Sequence, residues 1–268
     1  MFHHNIRPYI IKISWFEIRY YSLMYVLGFF ISLYLIPKLA KRRNINLDYE
    51  KTLNMIIIFY IFMIIFARLF YVLYYGFNYY ITHPMEILKI WHGGMSFHGG
   101  LIGLIIAGVI ISKKYKIKFY DLADFVTIPA ALSLFFGRIG NFINGELYGR
   151  VTNVPWAFYF PLAPDKGTLP RHPSQLYEAA KNLAIFFFLF THYKKYGNKV
   201  NKKGYYFWHF MFLYGLLRFI IEFFREPEIE FNLIITLTAG QVLCLIMMIV
   251  SLPFVLSYYY KKKYKKKT

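Results

Sequence analysis

Cysteine is almost missing from this chain, with Cys244 alone. One thiol cannot form an intramolecular disulfide, and with neither CxxC nor HExxH present, the common thiol-redox and zinc-hydrolase patterns are excluded. Cys244 sits midway along an apolar stretch and reads as a small packing residue. Acidic residues are scarce too, 13 against 32 Lys and Arg, and all charged residues together make up only 17%. The second half does not repeat the first, which weighs against transporters built from inverted repeats. The start lacks the basic, apolar and small-residue order of a removable leader, so the first apolar stretch is expected to direct insertion itself.

What is present is apolar surface. Hydrophobic residues reach 58% and aromatics 22%. A soluble domain of 268 residues would not carry so many stretches near the ~20 residues needed to cross a bilayer core. Seven are expected to span: about 20–37, 53–75, 95–112, 122–142, 174–192, 204–224 and 233–258. The fold class is therefore all-α, a single polytopic membrane domain over residues 1–268 with seven transmembrane helices. The connection at about 143–173 holds Pro155, Pro161, Pro164, Pro170 and Pro173 and an Asp165-Lys166-Gly167 turn signal. That density of proline predicts a small folded head.

The net charge of +19 suggests nucleic acid until the basic residues are placed. Lys38–Lys51, Lys113–Lys118, Lys194–Lys203 and the Lys261–Lys267 tail all fall on alternate connections, the same side of the seven-span count. The opposite side holds far fewer. The positive-inside rule puts the N-terminus outside and the lysine tail in the cytoplasm, making the 143–173 head extracytoplasmic. The charge orients the chain and grips anionic lipid; no nucleic-acid partner is expected.

The run Gly137–Arg150, GRIGNFINGELYGR, joins an apolar span to Arg138, Asn141, Asn144 and Glu146. Lipid offers no partner to a guanidinium, so Arg138 must face protein, water or an anionic ligand. Snorkelling to the interface would explain Arg138 and Arg150 but not the asparagines and carboxylate beside them. Other polar residues fall at the same outer depth: Tyr21 at the mouth of span one, His98 in SFHGG, and the HPSQLYE run. Span six adds Tyr214, Arg218 and Glu222, spaced i, i+4, i+8, with Arg225 extending the stripe. An internal Arg218–Glu222 pair that merely neutralises a buried charge is the plain alternative. Lys181 is expected to pair with Glu178 or snorkel, and Arg68 to pack or snorkel. His98 lies among Gly94, Gly99, Gly100 and Gly103, which suits helix packing as well as chemistry. His92 and His98 lack further ligands at metal spacing, so no metal is expected. Two arginines and a histidine at one depth suit a phosphate-bearing lipid.

These blocks resemble the bacterial prolipoprotein diacylglyceryl transferase family. GRIGNFINGELYGR, SFHGGLIG (96–103), RHPSQLYEA (171–179), YGLLRFIIEFFREP (214–227) and YYSLMYVLGF (20–29) carry the resemblance, in matching order over nearly the whole chain. It departs at Ser22 and at Trp15-Phe16, away from charged motif positions. The resemblance implies transfer of an sn-1,2-diacylglyceryl group from phosphatidylglycerol to the lipobox cysteine of a preprolipoprotein signal peptide. A thioether forms and glycerol 1-phosphate leaves; no cofactor is implied. The setting implied is the bacterial cytoplasmic (inner) membrane. Carried over by position, Arg138 and Arg218 clamp the phosphate, and His98 or nearby Tyr21 takes the thiol proton. Asn141, Glu146 and Gly149 shape the headgroup site, and Tyr214 and Glu222 orient Arg218. A lipid or anion transporter using the same arginines, and a structural membrane subunit, are the competing expectations.

Overall fold

The computed structural model describes residues 1–13, 16–74, 76–197, 203–227, 230–232 and 236–264. Helix dominates, because a chain in hydrocarbon must satisfy every backbone amide internally. Among the described residues eight α-helices form: α1 (Tyr20–Lys41), α2 (Tyr49–Tyr74), the short α3 (Phe77–Thr82) and α4 (Phe97–Lys114). They are followed by α5 (Phe119–Asn144), α6 (Ser174–Tyr196), α7 (Tyr205–Glu222) and α8 (Ala239–Tyr264). Each of the seven apolar stretches coincides with one long helix. Among the described residues four helical segments are long and apolar enough to cross a membrane: Tyr20–Lys41, Tyr49–Tyr74, Phe119–Asn144 and Gly240–Tyr259. The protein is therefore a mostly helical, multi-pass membrane protein.

Two compact units are formed, Leu33–Ala123 and Met1–Ser32 with Asp124–Thr268. In the first, α2 packs along α4. Side chains at Gly99 and Gly103 would strike the backbone carbonyls of Phe66 and Phe62, so this small-xxx-small pair is what lets the two helices close. The packing sense of the SFHGG glycines is thereby realised. Arg68 of α2 is 4% exposed and neither snorkels nor meets a carboxylate. Its guanidinium donates to the carbonyls of Ile87 (2.9 Å), Gly93 (2.5 Å), Gly94 (3.0 Å) and Glu86 (2.5 Å). One cation thus pins the α3–α4 connection and satisfies carbonyls that no helix could.

In the second unit α7 packs against both α6 and α8. Asp124 of α5 caps α7, accepting from Gly204 N (2.9 Å) and Phe207 N (3.0 Å). At the start of α8, Thr238 and Gln241 form a reciprocal capping box. Thr238 N donates to Gln241 Oε1 (3.0 Å) and Gln241 N donates to Thr238 Oγ1 (3.1 Å).

The connection between α5 and α6 is folded, as its prolines predict. Strand β1 (Phe2–His3) pairs in parallel with β4 (Phe158–Tyr159), which pairs antiparallel with β5 (Pro170–Arg171). Separate hairpins form from β2 (Tyr9–Ile13) with β3 (Phe16–Arg19), and from β6 (Glu230–Asn232) with β7 (Thr236–Thr238). Asp165 closes the expected turn, accepting from Gly167 N (3.0 Å) and binding Arg171 through Nη2 (2.6 Å). Arg171 also reaches Glu226 (3.0 Å) and the Gly149 carbonyl (3.2 Å), tying the head to the end of α7.

Burial works to raise the Asp165 carboxyl, but hydrogen bonds from Arg171 and from backbone amides outweigh it and hold it below its ordinary 3.8. A carboxyl depressed by folding contributes stability that is complete above 3.8 and lost as pH falls through the lower folded value. Asp165→Asn should therefore lower the melting temperature at pH 7. The difference from wild type should shrink as the pH is taken below 3.8, which paired thermal melts in detergent would measure.

Candidate functional site

Helix α5 ends in a Schellman motif. Glu146 N donates to Asn141 O (3.2 Å) and Gly145 N to Phe142 O (2.9 Å), with Gly145 at φ 69°. This ending turns Glu146 back on its own helix. Its Oε1 accepts from Asn141 Nδ2 (2.8 Å) and Asn144 Nδ2 (3.2 Å). The following residues are stitched to α6: Gln175 Nε2 donates to Glu146 O (2.6 Å) and Ser174 Oγ to Leu147 O (2.9 Å). Gly149 lies where three chain segments cross. Its N–H donates to His172 O (2.8 Å), and it forms an isolated bridge with Arg225. A side chain there would strike the Phe224 carbonyl and come within 2.7 Å of His172 Cβ, so only glycine fits. His172 is joined at Nδ1 to the Tyr177 hydroxyl (3.0 Å), and burial pushes its pKa below 6.5, keeping the imidazole neutral at pH 7.

One turn into α6 stands Glu178, whose side chain is 1% exposed. Four cations from three helices and the end of α7 converge on its two oxygens. Oε2 takes Lys181 Nζ at 2.7 Å and Arg138 Nε at 3.8 Å. Oε1 takes Arg218 Nε at 2.9 Å and Arg225 Nη1 at 3.6 Å. Glu222 is the second carboxylate; its Oε2 pairs closely with Arg218 Nη1 and stands 3.8 Å from Arg225 Nε. Its Oε1 accepts from the Thr238 hydroxyl (2.9 Å), the residue that caps α8, so the positive end of that helix also faces this carboxylate. The Arg218–Glu222 pair does exist, but it is one edge of a network and not an isolated neutralisation.

Arg138 and Arg218, far apart in the chain, thus meet across one carboxylate. Tyr21 lies against the same turn of α5: a side chain at Gly140 would come within 2.8 Å of its ring. Tyr21 and Tyr214 both lie close enough to act on Arg138 electrostatically. Tyr214, expected beside Arg218, also carries Lys181 Nζ 3.7 Å above its ring. Asn141 and Glu146 form their own pair, one turn beyond Arg138. His98 falls in the first turn of α4, in the other unit, and its side chain lies outside the described residues, as does that of His92. Among the described residues no cluster of His, Cys, Asp and Glu could hold a metal ion.

Two participants were not singled out from sequence as site residues. In the sequence Glu178 is only part of the HPSQLYE run, and Lys181 reads as its partner. A carboxylate inside an apolar span needs a cation, and that need was the signal available. The pairing with Lys181 was expected; the sharing with three arginines was not.

Among the described residues, and leaving aside Arg225, which has further partners, three cations face two carboxylates when each group is counted as ionised, an excess of one positive charge. In a low-dielectric setting such an excess is costly until an anion joins it. Arg138 is the member best placed to receive one, its side chain 20% exposed against 13% for Arg218 and 1% for Glu178. The arrangement is that of a membrane protein with a positively charged polar site among its helices.

Comparison with known proteins agrees. The sequence profile of the prolipoprotein diacylglyceryl transferase family matches residues 8–257, and the chain belongs to that family. The phosphatidylglycerol–prolipoprotein diacylglyceryl transferase of Geobacter sulfurreducens is 42% identical over 249 residues, covering 92% of this chain and 94% of that protein. The proteins of the same name from Desulfotalea psychrophila and Pasteurella multocida are 43% and 41% identical. They cover 89% and 88% of this chain, and 88% and 86% of their own lengths.

Proposed function

We propose that this protein transfers the sn-1,2-diacylglyceryl group of phosphatidylglycerol to the lipobox cysteine of a preprolipoprotein signal peptide. The observation that carries the reading is the surplus of guanidinium and ammonium charge around Glu178, in a chain about 40% identical to transferases of that name. The lipobox sulfur attacks the glycerol carbon bonded to the phosphate oxygen. The new bond is C–S, the bond broken is C–O, and the electron pair of that bond leaves on glycerol 1-phosphate. Arg138 and Arg218 hold the phosphate and offset the charge that grows on it, which is worth most where water is excluded. Asn141, Glu146 and Gly149 shape the space for the glycerol headgroup, and Glu222 orients Arg218.

The thiol proton must go to a base, since the thiolate is the nucleophile. His98 and Tyr21 are the two groups proposed for it. If His98 serves, His98→Gln should flatten the acidic limb of the pH–rate profile near the ordinary histidine pKa of about 6.5. An unchanged acidic limb assigns the step to Tyr21.

In this reading all seven long helices span the cytoplasmic (inner) membrane of a bacterium. The N-terminus and the 143–173 head face outside, and the lysine tail faces the cytoplasm. Purified protein with phosphatidylglycerol vesicles and a lipobox peptide should give a peptide heavier by one diacylglyceryl group, read by mass spectrometry. Unmodified peptide, under conditions where the Geobacter sulfurreducens protein works, would refute the activity. A lipid or anion transporter would instead open Arg138 and Arg218 to a cytoplasmic reagent.

A further inference from the structure

Lys181 is a lysine on the buried face of α6, its side chain 2% exposed. A buried ammonium needs a reason, and pairing with Glu178 alone is a weak one, since an apolar pair of the same size would cost less. The geometry points to a second task. Glu178 Oε2 has two cationic neighbours, and they are not equal. Lys181 Nζ sits at hydrogen-bond distance, 2.7 Å, while Arg138 Nε stands off at 3.8 Å. On Oε1 the order is the same, with Arg218 at 2.9 Å and Arg225 at 3.6 Å. On Oε2 the close cation, Lys181, takes up the oxygen, and Arg138 stands off it.

We propose that Lys181 is a positioning residue that holds Arg138 off Glu178 and so keeps that guanidinium available to the donor phosphate. Without the ammonium, Oε2 would be a buried carboxylate oxygen with one cation left to take, and Arg138, the most exposed of the four, could move onto it. The phosphodiester would then have to compete with Glu178 for the same fork. Lys181 also stacks over Tyr214, a ring close enough to act on Arg138 electrostatically. The same ammonium therefore also holds a neighbour of the guanidinium in place.

This inference rests on the transferase reading, and the test separates the two. Initial rates are measured with phosphatidylglycerol in mixed micelles and a lipobox peptide, for wild type, Lys181→Met, Lys181→Arg and Glu178→Gln/Lys181→Met. An inactive wild type sinks the transferase reading itself. With an active wild type, Lys181→Met should raise KM for phosphatidylglycerol about tenfold, the loss of one charge-assisted contact, with a smaller effect on kcat. Lys181→Arg keeps the cation and should stay close to wild type. The double variant removes both the ammonium and the carboxylate charge that would capture Arg138, so its KM should return toward the wild-type value. An unchanged KM in Lys181→Met, or a double variant as impaired as the single one, overturns the proposal. Should Lys181→Met fail to fold, the double variant carries the test alone, because it leaves the net charge of the cluster unchanged, and a raised KM there overturns it too.

Discussion

Arg138→Ala is expected to leave a folded protein that has lost transfer. The side chain contributes little to holding the network together: its one ion pair, to Glu178, is long at 3.8 Å. Glu178 retains three other cations when it is removed. Its value lies instead in the charge that grows on the departing phosphate. Removing one preorganised donor from such a site typically costs about 10²–10³ in rate. Losing a charge-assisted contact to the bound donor lipid adds about 1.5–3 kcal/mol in the ground state. A fall in kcat/KM of at least about a hundredfold is therefore expected, with thermal unfolding in detergent close to wild type. Retained activity would remove Arg138 from the mechanism.

Glu178→Ala should do the opposite kind of damage. Glu178 is buried and its two oxygens hold four cations from α5, α6, α7 and the residue after α7. Deleting it leaves Arg138, Lys181 and Arg218 with Glu222 as the one carboxylate of this network among the described residues. Breaking a buried pair by removing one partner costs about 3–5 kcal/mol, because the remaining charge is left uncompensated. Here more than one is released. Glu178→Ala should therefore unfold at lower temperature and lose activity together, whereas Arg138→Ala should separate the two. Melting curves and transfer rates on the same preparations would check the contrast. A Glu178→Ala protein as stable as wild type would mean that the arginines are held by something other than this carboxylate.

Several features of the site could be read along the chain because they depend on helix geometry alone. Lys181 follows Glu178 by three residues and Glu222 follows Arg218 by four, spacings that bring side chains together on any helix. The turn at Asp165 and the folded state of the 143–173 connection followed from prolines and from a turn dipeptide. Membrane character followed from seven apolar stretches, each of which became a helix. Yet α6 and α7, like α4, are not among the four helical segments of the described residues with the length and apolarity to span. Their charged and polar side chains dilute the apolar signal because these two helices build the site.

What no local pattern could reveal was who shares whose charge. That Arg138 and Arg218 meet on Glu178, that Arg225 joins them, and that Thr238 caps α8 while binding Glu222 each require helices distant in the chain to pack. Gly149 is similar: its motif position was legible, but the crossing of segments that forbids a side chain there was not. By itself, then, the amino-acid order determined the class, the helices and the chemical types present, because hydrophobicity and helical spacing act over neighbours. Only the tertiary structure decided the pairing of charges and the surplus of positive charge around Glu178. Coulomb attraction in a low-dielectric interior depends on separations of a few ångströms, and packing alone sets those.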